Sequence, residues 1–348
     1  MTVGPATPVP SSQNPGISIS AFGAGGSLLD LVTTAVPDGR VQAASGSMRG
    51  TGALLPLRFD GTATTMVGCC GVVGGGAHPI RDMAETLAWT GEERSVAYRD
   101  DSLRLRGFTH PDPDAVVPGH SPTRDALVWV WGNVLGYHGA DGYRARDPDS
   151  DGTAAEYCAR LYDEHGTDFV SGTNGDFVGI VYDRERSTLS VFTDRLGSWR
   201  LFYTELDDGA VAFSSHVQTL VRHPATSVSF NEPYVVQHLT DAGGPFGVKT
   251  PLEGVEVFPP GAVTTFDLDA ESISRDVDVY WRPRFDPVDE PYSYFVDEFV
   301  DRFTASVRER TRDRSKRYGV LLSGGTDSRL VLGAIDDDVD VVAFHMAD

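Results

Sequence analysis

The run Tyr318-Gly319-Val320-Leu321-Leu322-Ser323-Gly324-Gly325-Thr326-Asp327-Ser328 combines an apolar strand, two glycines, two serines and a carboxylate in the order that anion binding requires. Gly324 and Gly325 let backbone N–H groups approach a phosphate closely, Ser323 and Ser328 add hydroxyl donors, and a helix starting here contributes the positive end of its dipole. Asp327 supplies a hard oxygen ligand for magnesium. No Gly-Lys-Ser/Thr follows the glycines, so this is not a Walker A loop. The pattern reads instead as an ATP pyrophosphatase loop, which grips the pyrophosphate that leaves when a carboxylate is adenylated. Phosphate contacts are expected from Ser323, Gly324, Gly325, Thr326 and Ser328, and magnesium binding from Asp327. The Leu322 main chain should face the nucleotide, because ligands of open α/β sheets sit at the carboxyl ends of strands. ATP and Mg2+ are the expected cofactors. A glycine turn that binds nothing is the plain alternative.

Such a loop needs a strand before it and a helix after it. Gly319 to Leu322 is expected as a buried strand, Ser328 to Ile335 as a helix and Val339 to His345 as a second strand, together one parallel βαβ unit. Upstream, Phe295, Phe299, Phe303 and Val307 recur every fourth residue, which predicts an amphipathic helix whose aromatic stripe is core. Asp286 to Pro291 reads as a linker. Before it the chain is rich in short β segments: Val67 to Val73, Ala126 to Gly132, a hairpin of Asp176 to Asp183 with Leu189 to Asp194, and a second of Leu201 to Glu205 with Val211 to Ser214. Thr153 to His165 places Ala154, Cys158, Leu161 and Tyr162 on one helical face and stops at Gly166. This is the pattern of an α+β layered sandwich.

The formal net charge is −21, and Lys249 and Lys316 are the only lysines. An acidic surface of this kind disfavours nucleic acid and anionic membranes, and reads as a solvated exterior suited to high salt, as in halophilic proteins. Cys69, Cys70 and Cys158 cannot build a disulfide framework; with no secretory signal pattern and no spanning-length apolar run, a cytoplasmic location is expected. Neither His-x3-His nor Cys-x2-Cys occurs, which disfavours zinc. His216 reads as a structural histidine. Residues 1 to 65 contain no Glu and balance three Asp against three Arg. They are therefore expected to be a low-complexity extension, either disordered or lying ahead of a natural start at Met66.

Several segments, in order, resemble the asparagine synthetase family, in which a class II, N-terminal-nucleophile glutaminase domain precedes an ATP pyrophosphatase domain. Cys70-Gly71-Val72-Val73-Gly74 is similar to the family's opening Cys-Gly-Ile-x-Gly. Asn174-Gly175-Asp176-Phe177, Asp194-Arg195-Leu196-Gly197, Phe258-Pro259-Pro260-Gly261 and Tyr280-Trp281 resemble later motifs. The resemblance implies an N-terminal-nucleophile hydrolase-like αββα sandwich over 66–285, followed over 286–348 by the start of an α/β parallel-sheet pyrophosphatase domain. It also implies an amide-forming ligase that activates aspartate or a related carboxylate as acyl-AMP, for attack by ammonia, an amine or glutamine-derived nitrogen. A homodimer or a complementing C-terminal fragment is the partner it allows.

Two departures accompany the resemblance. The family's nucleophilic cysteine uses its own free α-amine as base, whereas Cys70 follows Cys69. Cys70 is thus the candidate glutaminase nucleophile, with a buried strand cysteine as the alternative. Asn133, in Trp131-Gly132-Asn133, and Asp151 are the candidate glutamine-binding residues, and no glutamine-binding arginine is evident. The synthetase domain of the family also extends well past a second strand. Residues 286–348 are therefore expected to leave Leu330, Val341 and Phe344 exposed, or to need a partner chain, and to turn over little by themselves. A non-catalytic remnant and another pyrophosphatase-loop adenylating enzyme are the rival functions.

Overall fold

The computed structural model of the 348-residue chain describes residues 65–75, 78–88, 94–110, 117–240, 247–269 and 273–347, with the two-residue strands Ser18–Ile19 and Gly46–Ser47. Apart from those two strands, the expectation of an extension over 1–65 lies outside the described residues, save that the first strand of the sandwich already begins at Thr65. The chain divides into two compact units, Thr62–Pro287 and Met1–Gly61 with Val288–Asp348. The break falls inside the stretch read as a linker.

The larger unit begins with β1 (Thr65–Val73), α1 (Arg81–Glu85), β2 (Arg94–Arg99), β3 (Leu103–His110), β4 (Gly119–His120), β5 (Ala126–Gly139) and β6 (Gly142–Ala145). The helices α2 (Pro148–Asp151), α3 (Ala154–His165) and α4 (Phe169–Gly172) follow, then β7 (Thr173–Asp183), β8 (Thr188–Thr193), β9 (Phe202–Glu205) and β10 (Val211–Ser214). It closes with α5 (Val217–Leu220), α6 (Glu232–Thr240), β11 (Val255–Val257), β12 (Ala262–Asp267) and β13 (Ser274–Val279). One sheet runs β13-β12-β8-β7-β5-β4, with β6 also on β5, and the other runs β11-β9-β10-β1-β3-β2. All neighbours are antiparallel.

Strand periodicity explains the layering, because successive side chains point to opposite faces. Along β5, Leu127, Trp129 and Trp131 join Cys69, Leu105, Ile180 and Phe213 in a core between the sheets. The alternate residues Ala126, Val128 and Val130 lie under Cys158, Ala159 and Tyr162 of α3. On the other sheet, Cys70 and Val72 of β1 pack outward against Met83 and Ala84 of α1 and Leu220 of α5. The order of layers is helix, sheet, sheet, helix. Each sheet is apolar on both faces because each is covered on both.

Local chemistry fixes the elements. Thr153 and Glu156 form a reciprocal capping box at the start of α3, and Gly166 ends it at φ 61°. Both expected hairpins form: β7 pairs with β8 through a turn that holds Ser187 at φ 50°, and β9 pairs with β10 through Gly209 at φ 83°.

The smaller unit contains α7 (Tyr292–Arg310), β14 (Arg317–Leu322), α8 (Thr326–Ala334) and β15 (Asp340–Ala347). β14 and β15 are parallel, as the βαβ reading requires, and Ser18–Ile19 pairs antiparallel with β15. Val320, Leu332, Ile335, Val339 and Val341 form its core, and Val307 packs on it. Three expectations are corrected here. The aromatic stripe of α7 is not core, since Phe295 is 45% and Phe299 58% exposed. Only Val307, near the end of α7, reaches the small aliphatic core that α8 and the strands already fill. β14 is buried on one face only, leaving Leu321 exposed. Of the residues expected to be exposed, Leu330 is, whereas Val341 is buried beneath α8 and Phe344 is half-buried.

Candidate functional site

Cys70 sits within β1, opposite Ser214 of β10 and Arg106 of β3. Strand parity turns its thiol outward into the α1/α5 core, where it is fully buried. Burial pushes the Cys70 thiol up to about 12, and the opposing pull of Arg106 is the smaller effect. Cys69 points the other way, between the sheets, and burial together with the neighbouring Cys70 raises it as well. The same parity places Gly71 inward, where a Cβ would strike the Phe213 ring and meet the Arg104 carbonyl at 2.6 Å. Glycine is needed for the strands to close.

The backbone before Cys70 is held firmly. The Cys69 carbonyl accepts from the Ser214 hydroxyl at 2.9 Å and the Ser215 N–H at 2.9 Å, and the Cys69 N–H donates to Ser215 Oγ at 3.0 Å. Ser215 Oγ also lies 2.8 Å from His216 Nδ1. His216 is the residue preceding α5, and burial lowers its pKa. This agrees with a structural histidine at a strand-to-helix junction.

The two candidate glutamine-binding residues are engaged within the protein. Asp151 is buried, accepts from Arg144 at 2.9 Å and from the Asp147 N–H at 3.0 Å, and lies 3.7 Å from Arg160. Burial raises its pKa, but the Asp147 N–H and the arginines outweigh it, and the carboxyl is held below its ordinary value. Asn133 is exposed and donates to Asp176 at 3.0 Å; Trp199 Nε1 donates to the same carboxylate oxygen at 3.4 Å. Arg106 was not evident from sequence, because its place opposite Cys70 depends on a cross-strand register. Its Nε is buried with no partner among the described residues.

The upstream motifs converge on one hydrogen-bonded junction. Asp194, 3% exposed, accepts from the N–H groups of Phe177, Leu196 and Ser198 and from the Ser198 hydroxyl. The Gly261 N–H donates to the Asp194 carbonyl, Trp281 N–H to the Gly261 carbonyl, and Tyr280 OH to the Thr193 carbonyl. Segments 174–177, 194–198, 258–261 and 280–281 are thereby tied together at one place. A buried carboxylate is tolerable only with this many donors.

The glycine loop is arranged differently. β14 ends at Leu322, Gly324 takes φ 79°, and Gly325 precedes α8 with no side chain capping the helix N-terminus. Its N–H groups are the orphan donors that attract anions. Ser323 Oγ and Ser328 Oγ are 3.4 Å apart, and Gly325 N–H reaches Ser323 Oγ at 3.4 Å, so these hydroxyls are only weakly held. Thr326 and Asp327 are exposed, and Asp327 has no ion pair among the described residues. Were phosphate oxygens bound beside these N–H groups, one free carboxylate would suit magnesium, which takes one or two carboxylates plus phosphate oxygens. The Leu322 carbonyl lies 2.8 Å from His345 Nδ1, its cross-strand neighbour on β15. His345 at this carboxyl end is a further residue that only the parallel register reveals.

Residues 143–281 match the model of the glutamine amidotransferase domain. The chain is 26% identical over 239 residues to an asparagine synthetase [glutamine-hydrolyzing] of Asparagus officinalis, covering 66% of this chain and 32% of the relative. It is 22% identical over 278 residues to asparagine synthetase [glutamine-hydrolyzing] 2 of Bacillus subtilis (strain 168), covering 77% and 37%, and 27% identical over 188 residues to the human enzyme, covering 52% and 31%. It thus spans about a third of the length of these relatives. Among solved structures, the glutamine phosphoribosylpyrophosphate amidotransferase from B. subtilis complexed with ADP and GMP aligns at 10% identity and a TM-score of 0.39, over 79% of this chain and 65% of that one. No helix among the described residues is long and apolar enough to cross a membrane. The chain carries a glutamine amidotransferase domain with distant similarity to asparagine synthetases.

Proposed function

We propose that this chain is part of an ATP-dependent, amide-forming ligase of the asparagine synthetase type, whose amidotransferase domain is a scaffold and whose glycine loop holds the pyrophosphate portion of ATP with magnesium. One observation carries the reading. The loop stands at the carboxyl end of a parallel strand, directly before an uncapped helix N-terminus, with Ser323, Ser328 and Asp327 unencumbered by strong internal bonds. Ser323, Gly324, Gly325, Thr326 and Ser328 would contact the phosphates, the Leu322 main chain would border the nucleotide, and Asp327 would hold the metal. The substrate is a carboxylate such as aspartate, and ammonia or an amine is the nitrogen source. Bound magnesium would offset the charge that develops on the departing pyrophosphate.

The scaffold part of the reading rests on the Cys70 thiol, which is buried, held near its protonated form and preceded by a hydrogen-bonded residue rather than a free amine. The amidotransferase match over residues 143–281, which includes Asp151, supports a second reading, in which Cys70 releases nitrogen from glutamine with Asp151 and Asn133 holding the substrate.

The test is calorimetric titration of the full chain with pyrophosphate and with ATP, each with and without magnesium. Magnesium-dependent binding that Asp327→Ala weakens by about tenfold or more is expected. Equal affinity in Asp327→Ala, or no binding by the parent chain, would overturn the assignment.

A further inference from the structure

We propose that a cleft beside β9 and β11 binds a small zwitterion of the α-amino acid class, at a site separate from both Cys70 and the glycine loop. The cleft has a volume of about 260 Å³. That is below the roughly 300–1,000 Å³ typical of drug-sized ligands and matches a molecule the size of one amino acid. Its wall carries both charges. Lys249 Nζ lies 3.1 Å and Arg275 Nη1 3.4 Å from the carboxylate of Glu256, which the Tyr203 hydroxyl also donates to. Glu205 and Glu253 line the same cleft and form no ion pair or side-chain hydrogen bond among the described residues.

The inventory of donors and acceptors defines the ligand. An ammonium has three N–H groups and a guanidinium five. Glu256 occupies one from Lys249 and one from Arg275, and Tyr203 another from Arg275, so both cations retain donors for a second carboxylate. Glu205 and Glu253 supply acceptors for an ammonium. A singly charged molecule could engage only one of these sets and would meet like charge in the other. A molecule carrying both an ammonium and a carboxylate can engage both sets at once. The placement of Lys249 adds weight, since a chain with two lysines and a net charge of −21 has put one of them here. The floor is apolar: Val255 is buried in the α1/α5 core and Leu252 packs against it.

Arg275 belongs to β13 of one sheet and reaches Tyr203 of β9 in the other. A ligand seated here would tie the two sheets together.

Calorimetry on the full chain with L-alanine, L-asparagine and L-glutamine tests the inference, with succinate and 1,4-diaminobutane as singly signed controls. At least one amino acid should bind saturably, and the two controls should not. Lys249→Met should weaken that binding by about tenfold or more, and so should Glu205→Gln combined with Glu253→Gln. Lys249 is 64% exposed, so its variant should keep the parent melting curve. Cys70→Ala should leave the affinity unchanged. The inference fails if no amino acid binds, if Lys249→Met binds as the parent does, if succinate or 1,4-diaminobutane binds equally well, or if Cys70→Ala abolishes the signal.

Discussion

The two units of this chain enclose their chemistry to opposite degrees. In the sandwich, both faces of both sheets are covered, and the residue pattern that announces a nucleophile ends in a thiol with no solvent contact. In the βαβ unit, one helix covers one face of two parallel strands, and the glycine loop, Leu321 and much of α7 remain open. The two motifs therefore differ in what they can reach. A motif buried by its own sheet is closed to solvent; a motif at a strand end keeps its donors available.

Core truncation should separate the two units most sharply. Trp129→Ala removes an indole that is 1% exposed between the sheets and should cost about 3–5 kcal/mol in urea unfolding. Phe299→Ala, on the open face of α7, should stay within about 0.5 kcal/mol of the parent. Similar losses at both sites would erase the contrast.

Thiol chemistry gives the next largest effect. Cys70 and Cys158 are each pushed up to about 12 by burial, and Cys69 is raised by the same cause. At about pH 8 none should react appreciably with a thiol reagent in the folded chain, and all three should react once it is unfolded. Fast native labelling abolished by Cys70→Ala would show that the sandwich is open at that thiol.

Gly324→Val should weaken magnesium–pyrophosphate binding by about tenfold or more while shifting the sandwich melting temperature little, because φ 79° suits glycine and its surroundings are empty. A shift in sandwich stability without a binding change would reverse the assignment of roles.

The smallest effect concerns pH. Burial lowers the pKa of His216 and His223, with His78 adding to the effect at His223 and Asp208 opposing it. Below their ordinary value of 6.5 the unfolded chain takes up protons that the folded chain resists. Stability from these groups is thus present above that value and declines as pH falls from about 7 to about 5. His223→Phe should make the decline shallower in melting curves, and an unchanged slope would remove His223 from the account.

Much of this division was legible in sequence. The continuous apolar run over residues 126–132 and the capping pair Thr153 and Glu156 state strand and helix directly, because each depends on neighbours in the chain. Both hairpins and the strand–loop–helix at 317–334 follow for the same reason. What sequence could not supply was cross-strand register: Arg106 opposite Cys70 and His345 beside Leu322. The aromatic stripe of α7 shows the converse limit. Its period predicts helix correctly, but a period cannot say whether a partner covers the stripe, and here Phe295 and Phe299 are exposed.

Glutamine hydrolysis bears most directly on the closed thiol. With the full chain and its Cys70→Ala variant incubated side by side with glutamine, the account predicts the same background glutamate in both. Glutamate release by the parent chain that disappears in Cys70→Ala would contradict it.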